Sequence, residues 1–122
     1  MNNLDTTNVL GSIEAFPDQC QQAWEESSLL KFPDEYKRVK NAVICGMGGS
    51  RFTPRTIKEL YRDQIRIPYE IVEDYTVPGY VNSNSLVILS SYSGTTEEVI
   101  SAGNDAIKKG ALVTGIAKGG EV

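Results

Sequence analysis

A chain of 122 residues, 40% apolar and 23% charged, has the size and composition of one soluble core, which excludes wholesale disorder. Its formal charge of −4, from 12 basic and 16 acidic side chains, comes with no basic run longer than Lys37-Arg38 or Lys108-Lys109. That argues against nucleic acid and for a small molecule or a protein as partner. The sequence contains no histidine, which removes Ser-His-Asp triads and most zinc sites.

Met1 to Asn8 is polar, without the charged-then-apolar pattern of a signal segment. Residues 1–12 are expected to form a loose start or a short helix. Phe16-Pro17-Asp18 opens a helix, with Pro17 where a missing N–H costs nothing, and Phe16, Cys20, Ala23 and Trp24 fall on one apolar stripe. Lys31 to Lys40 reads as polar linker. Residues 1–40 are therefore taken as an N-terminal helical segment and 41–122 as an α/β domain.

Ala42-Val43-Ile44-Cys45, from Asn41, is the short apolar run of a strand buried on both faces. Gly46-Met47-Gly48-Gly49-Ser50 breaks it. Pro54 to Asp63 is predicted helical, with Thr53 as its cap and Ile57, Leu60 and Tyr61 on the inner face. Pro68 to Val72 is a second strand, followed by an irregular stretch with weak helical character. Leu86 to Ser90 is a third strand, as fully apolar as the first and so expected to be covered on both faces.

Ser91-Tyr92-Ser93-Gly94-Thr95-Thr96 then precedes a helix over Glu97 to Lys109. Thr95 and Glu98 have capping-box spacing, the terminal charges suit the helix dipole, and Gly110 supplies a left-handed stop. Ala111 to Ala117 is a fourth strand, and only Lys118-Gly119-Gly120-Glu121-Val122 follows, so the α/β domain is expected to be incomplete at its C-terminal end. Alternating strands and helices imply right-handed crossovers and a parallel sheet, here of order 2-1-3-4.

Cys20 and Cys45 match no metal spacing and are too few for a disulfide framework. Both read as core residues of a protein from a reducing compartment. No apolar run approaches the ~20 residues of a membrane span. Cytoplasmic residence, with no membrane partner, is the expectation.

In an open parallel sheet, ligands bind beyond the C-terminal ends of the strands where the strand order reverses. For order 2-1-3-4 that point lies between the first and third strands. The loops leaving them, Gly46–Ser50 and Ser91–Thr96, are also the richest in glycine and hydroxyls. Ser91, Ser93, Thr95 and Thr96 offer donors, Gly94 lets backbone come close, and the next helix presents unpaired N–H groups, which suits a phosphate. One of these hydroxyls serving only as an N-cap is the competing reading. Gly46-Met47-Gly48-Gly49-Ser50-Arg51 partly imitates the dinucleotide fingerprint, but Arg51 replaces its third glycine and disfavours that ligand.

These loops resemble the sugar isomerase (SIS) domain family. Gly46-Met47-Gly48-Gly49-Ser50 and Ser91-Tyr92-Ser93-Gly94-Thr95-Thr96-Glu97-Glu98 carry the likeness. Phe16-Pro17-Asp18-Gln19, Ala23-Trp24 and Gly119-Gly120 extend it toward the N-terminal SIS domain of the bifunctional phosphoglucose/phosphomannose isomerase branch. Arg51 departs from the small residue usual there.

The resemblance implies a flavodoxin-like three-layer fold and an aldose–ketose phosphosugar isomerase of carbohydrate metabolism, in glycolysis and gluconeogenesis. It implies that Ser50, Ser91, Ser93 and Thr96 hold the sugar phosphate. Gly48 and Gly49, with Gly94 and Thr95, form the loops against the substrate. It further implies a cis-enediol mechanism without metal or organic cofactor, and a homodimer or a pairing with a second SIS domain. The family's glutamate base and ring-opening histidine match no position here, so the chain by itself is expected to be inactive.

Glu97 and Glu98 begin a helix, where carboxylates are held as anions, and are poor candidates for a base. Two other classes stay open: a SIS module that senses a phosphosugar in a regulator, and an interaction domain with vestigial loops. The acidic region before Asn41 favours the enzyme, because SIS regulators carry a basic DNA-binding domain there.

Overall fold

The computed structural model describes residues 5–122, and residues 1–4 of the expected N-terminal start lie outside them. The chain divides into two compact units, Met1–Phe32 and Pro33–Val122.

In the first unit, α1 spans Val9–Glu14 and α2 spans Phe16–Ser28. The Asp5 carboxylate accepts the N–H groups of Val9 and Leu10 at 2.7 and 3.0 Å, which caps α1. These two N–H groups hold the Asp5 carboxyl below its ordinary pKa. Pro17 stands in the first turn of α2, where helices tolerate it. Neither helix buries a residue. The expected stripe does form on α2, but it stays exposed, Trp24 at 75%. Cys20 is exposed as well, which corrects its reading as a core residue.

In the second unit the expected linker contains a 3-10 turn, Asp34–Arg38, with Lys37 donating to Asp34 at 2.6 Å. The strands are β1 (Asn41–Gly46), β2 (Tyr69–Val72), β3 (Ser85–Ser90) and β4 (Leu112–Ile116). All pairings are parallel, and the order is β2-β1-β3-β4. Ile44 stands opposite both Ile71 and Ile88, so β1 is central and the strand order reverses between β1 and β3.

Two α-helices flank the sheet, α3 (Phe52–Leu60) and α4 (Glu97–Lys108), and the main core fills the face that α4 covers. Val43, Cys45, Val87 and Leu89 of the sheet pack with Val99, Ala102 and Ala106 of α4. Each fully buried valine contributes about 1.5–3 kcal/mol. The helix comes close because its inner residues are small: a Cβ on Gly103 would lie 2.6 Å from a Leu89 methyl. At its end Gly110 has φ +76°, and Ala111 donates to the Ala106 carbonyl at 3.1 Å, the left-handed stop anticipated from the sequence.

No helix forms between β2 and β3. Pro78-Gly79 interrupts the stretch, and Val77 and Val81 fill the core in place of a helical face. The stretch is pinned to α4: Val77 N–H donates to Asp105 at 3.0 Å, and Lys109 Nζ donates to the Val77 carbonyl at 2.8 Å and to Asp105 at 2.9 Å.

The opposite face is less covered. Ala42 and Ile44 are buried there, but β3 alternates buried and half-buried residues, with Leu86 and Ile88 half-buried. Full cover of β3 on both faces is thus corrected, because α3 buries only Pro54. Ile57, Leu60 and Tyr61 are exposed at 40%, 70% and 44% and do not form an inner face. Thr53 is not the cap either. The helix continues directly from the 3-10 turn Gly48–Arg51, which places Thr53 inside its first turn. Among the described residues no helix is long and apolar enough to cross a membrane.

Candidate functional site

The loop leaving β1 is open. Gly46 lies so close to β3 that a Cβ there would meet the Ser90 carbonyl at 3.1 Å. Gly48 takes φ +52°, and a Cβ on Gly48 or Gly49 would meet nothing within 4 Å. Ser50 ties this loop to β3 and its exit: its carbonyl accepts Ser90 Oγ at 2.9 Å, and its Oγ accepts the Tyr92 N–H at 3.4 Å.

The loop leaving β3 is closed on itself. Ser91 is 1% exposed, and its Oγ accepts the Gly94 N–H at 3.0 Å and lies 2.8 Å from Thr96 Oγ1. Ser93 Oγ accepts both the N–H and the hydroxyl of Thr95 at 3.2 Å. Thr96 is the N-cap residue of α4, yet its side chain makes no capping bond. The expected Thr95–Glu98 capping box is therefore absent, because the Thr95 and Thr96 hydroxyls turn to Ser93 and Ser91 instead. The first N–H groups of α4 are left without a side-chain acceptor from the cap residue.

A third segment completes this end of the sheet. After β4, Lys118 N–H donates to the Tyr92 carbonyl at 3.1 Å, and Glu121 N–H donates to the Gly94 carbonyl at 2.7 Å. A Cβ on Gly94, whose φ is +71°, would lie 1.5 Å from the Gly119 carbonyl oxygen. Gly94 thus admits the chain's own backbone, where the sequence suggested room for a ligand. The Lys118 ammonium stands 5.7 Å from the centre of the Tyr92 ring.

Between these segments lies a cleft of about 460 Å³, within the usual size of a small-molecule site. Gly49, Ser50, Thr53, Ser90, Tyr92, Ile116, Ala117 and Lys118 line it. Of the residues selected from the sequence, Gly49 and Ser50 are on its wall. Gly48, Ser91, Ser93, Gly94 and Thr96 are not on its wall, and Thr95 faces a different hollow. That hollow, about 730 Å³, is larger but carries Glu97, Asp105 and Glu121 against Lys108 alone, a poor environment for an anion. The charges of Glu97 and then Glu98 push the nearby Tyr75 hydroxyl above its ordinary pKa, which marks the same negative field.

Arg51, close in sequence to the first loop, does not serve the cleft. It pairs with Glu73, which also takes Arg55 at 2.9 Å. Cys45 is buried in β1, and burial pushes its thiol up to about 11, so it packs rather than reacts. Ser90, Tyr92, Thr53 and Lys118 were missed in the sequence. Lys118 follows β4, which pairs with β3, so strand adjacency rather than the reversal point was the signal that could have found it.

No protein-family model matches the chain. It is 38% identical over 111 residues to the bifunctional phosphoglucose/phosphomannose isomerase of Caldicellulosiruptor bescii, covering 91% of this chain and 33% of that protein. It is 39% identical over 109 residues to the enzyme of the same name from Thermoplasma acidophilum, covering 84% of this chain and 34% of that one. The chain thus spans about a third of the length of the curated relatives it matches. Among solved structures it is similar to a provisionally assigned phosphosugar isomerase of Bacillus subtilis, at TM-score 0.55 and 26% identity over 65% of this chain and 26% of that one. With the parallel order β2-β1-β3-β4 and the glycine- and serine-bearing strand exits already in place, these matches bear out the resemblance to SIS-type phosphosugar isomerases read from the two loops.

Proposed function

We propose that this chain holds the phosphate of a phosphosugar, as part of an isomerase that interconverts glucose 6-phosphate or mannose 6-phosphate with fructose 6-phosphate. One observation carries the reading: the cleft at the β1/β3 reversal has Ser50, Thr53, Ser90, Tyr92 and Lys118 on its wall beside Gly49, Ile116 and Ala117, and no carboxylate. The relatives' names supply the sugars.

Ser50, Ser91, Ser93 and Thr96 are the proposed phosphate ligands, with Gly48, Gly49, Gly94 and Thr95 shaping the loops that carry them. Proton accounting supports donors even in the closed loop. Ser93 Oγ only accepts from Thr95, so its own proton is free for a ligand. One hydroxyl of the Ser91–Thr96 pair donates to the other, and the second proton stays available. The uncapped first turn of α4 adds amide donors and the positive end of a helix dipole.

In this proposal the phosphate anchors the sugar far from the reacting carbons. Its binding is converted into orientation for ring opening, proton removal next to the carbonyl and passage through a cis-enediol. The base and the ring-opening group come from further sequence or a second subunit, in a homodimer or beside a second SIS domain. Residues 41–122 form the SIS-type unit and 1–40 precede it. The setting is cytoplasmic sugar metabolism, in glycolysis and gluconeogenesis.

The test is calorimetric titration of glucose 6-phosphate into wild type and the Ser93→Val, Thr96→Val double variant. Each hydrogen bond to a charged group is worth about 1.5–3 kcal/mol, so affinity falls at least tenfold. Unchanged affinity would move the phosphate away from this loop.

A further inference from the structure

We propose that Lys118 makes the cleft selective for anions by giving its ammonium to the ligand's phosphate. This rests on the phosphosugar reading above and adds the residue that supplies charge, which that reading leaves to neutral donors. Lys118 is the only charged side chain on the wall of the cleft. The neighbouring arginines are committed elsewhere, Arg51 and Arg55 both to Glu73, and Lys109 is held by Asp105.

Lys118 has no carboxylate partner among the described residues, and its contact is with the face of the Tyr92 ring. A ring face attracts an ammonium but takes none of its N–H groups in conventional hydrogen bonds, so three donors remain for an anion. The position is also held from the backbone. Lys118 N–H bonds to Tyr92, and the next two glycines pack directly on Gly94, so the lysine stem leaves a fixed point beside Ser50 and Ser90. Hydroxyls there bind an oxygen whatever its charge, whereas the ammonium distinguishes phosphate from a neutral sugar and makes binding depend on salt.

The experiment titrates inorganic phosphate and glucose 6-phosphate into wild type, Lys118→Met and Lys118→Arg at low and high ionic strength, with melting curves to confirm equal folding. At low salt, Lys118→Met is expected to weaken both ligands by the same factor, about tenfold or more, and to flatten the salt dependence. Lys118→Arg is expected to keep most of both. Wild-type affinity and salt dependence in Lys118→Met would overturn the role of Lys118 and leave the phosphate reading standing. A loss confined to glucose 6-phosphate would overturn it too, by placing the lysine on the sugar. Absence of phosphate binding by wild type would overturn both.

Discussion

The exits of β1 and β3 look alike in sequence, short and rich in glycine and serine, yet they are built oppositely. After β1 the glycines face open space and Ser50 stands on the cleft wall. After β3 the hydroxyls bond to one another and Gly94 is pressed against Gly119 and Gly120. The same residue types leave open space in one loop and admit the protein's own backbone in the other. What separates them is the segment after β4, which runs beside the β3 exit and bonds to Tyr92 and Gly94.

Alanine in place of each loop's glycine is the strongest way to break this contrast. Gly94→Ala would force a Cβ into the Gly119 carbonyl at a left-handed φ. The expected loss is about 3 kcal/mol or more in denaturant unfolding, from steric overlap and backbone strain together. Gly49→Ala, with open space around it, is expected to stay within about 0.5 kcal/mol of wild type while its methyl group narrows the cleft and weakens phosphate. Similar stability losses for both would erase the distinction.

A smaller effect is expected at the serines. Ser91→Ala removes a fully buried hydroxyl that holds Gly94 N–H and Thr96, at a cost of about 1–3 kcal/mol. Ser50→Ala loses only a long bond from Tyr92 N–H, so it is expected to change stability by less than about 1 kcal/mol and act mainly on binding. The pair sharpens the comparison when stability and affinity are measured on the same samples; a Ser50 variant as unstable as the Ser91 variant would show two load-sharing loops.

The sheet was legible because its signals are local. Ala42–Cys45 and Leu86–Ser90 are short apolar runs bounded by breakers, and they form adjacent parallel strands. The reversal between β1 and β3 then followed from topology. The capping box was not legible, because Thr95 and Thr96 had competing partners two and five residues back, in Ser93 and Ser91. The expected inner face of Ile57, Leu60 and Tyr61 fails because periodicity does not say whether a face is covered, and here α3 buries only Pro54. Val77 and Val81 lacked helical or strand context and still entered the core, with Val77 tied to Asp105 and Lys109 about thirty residues away in sequence. Lys118 was not legible because it lies far from both loops along the chain and arrives beside Tyr92 from the next strand.

The most direct test of the account is an amide-resolved NMR titration of the chain with inorganic phosphate. The account predicts the largest saturable shifts at Ser50, Ser93, Thr96 and Lys118, where the proposed phosphate ligands meet the cleft between the strand exits. Largest shifts at Ser101, Asn104 and Lys108, in the acidic hollow beside α4, or no saturable shifts at all, would contradict it.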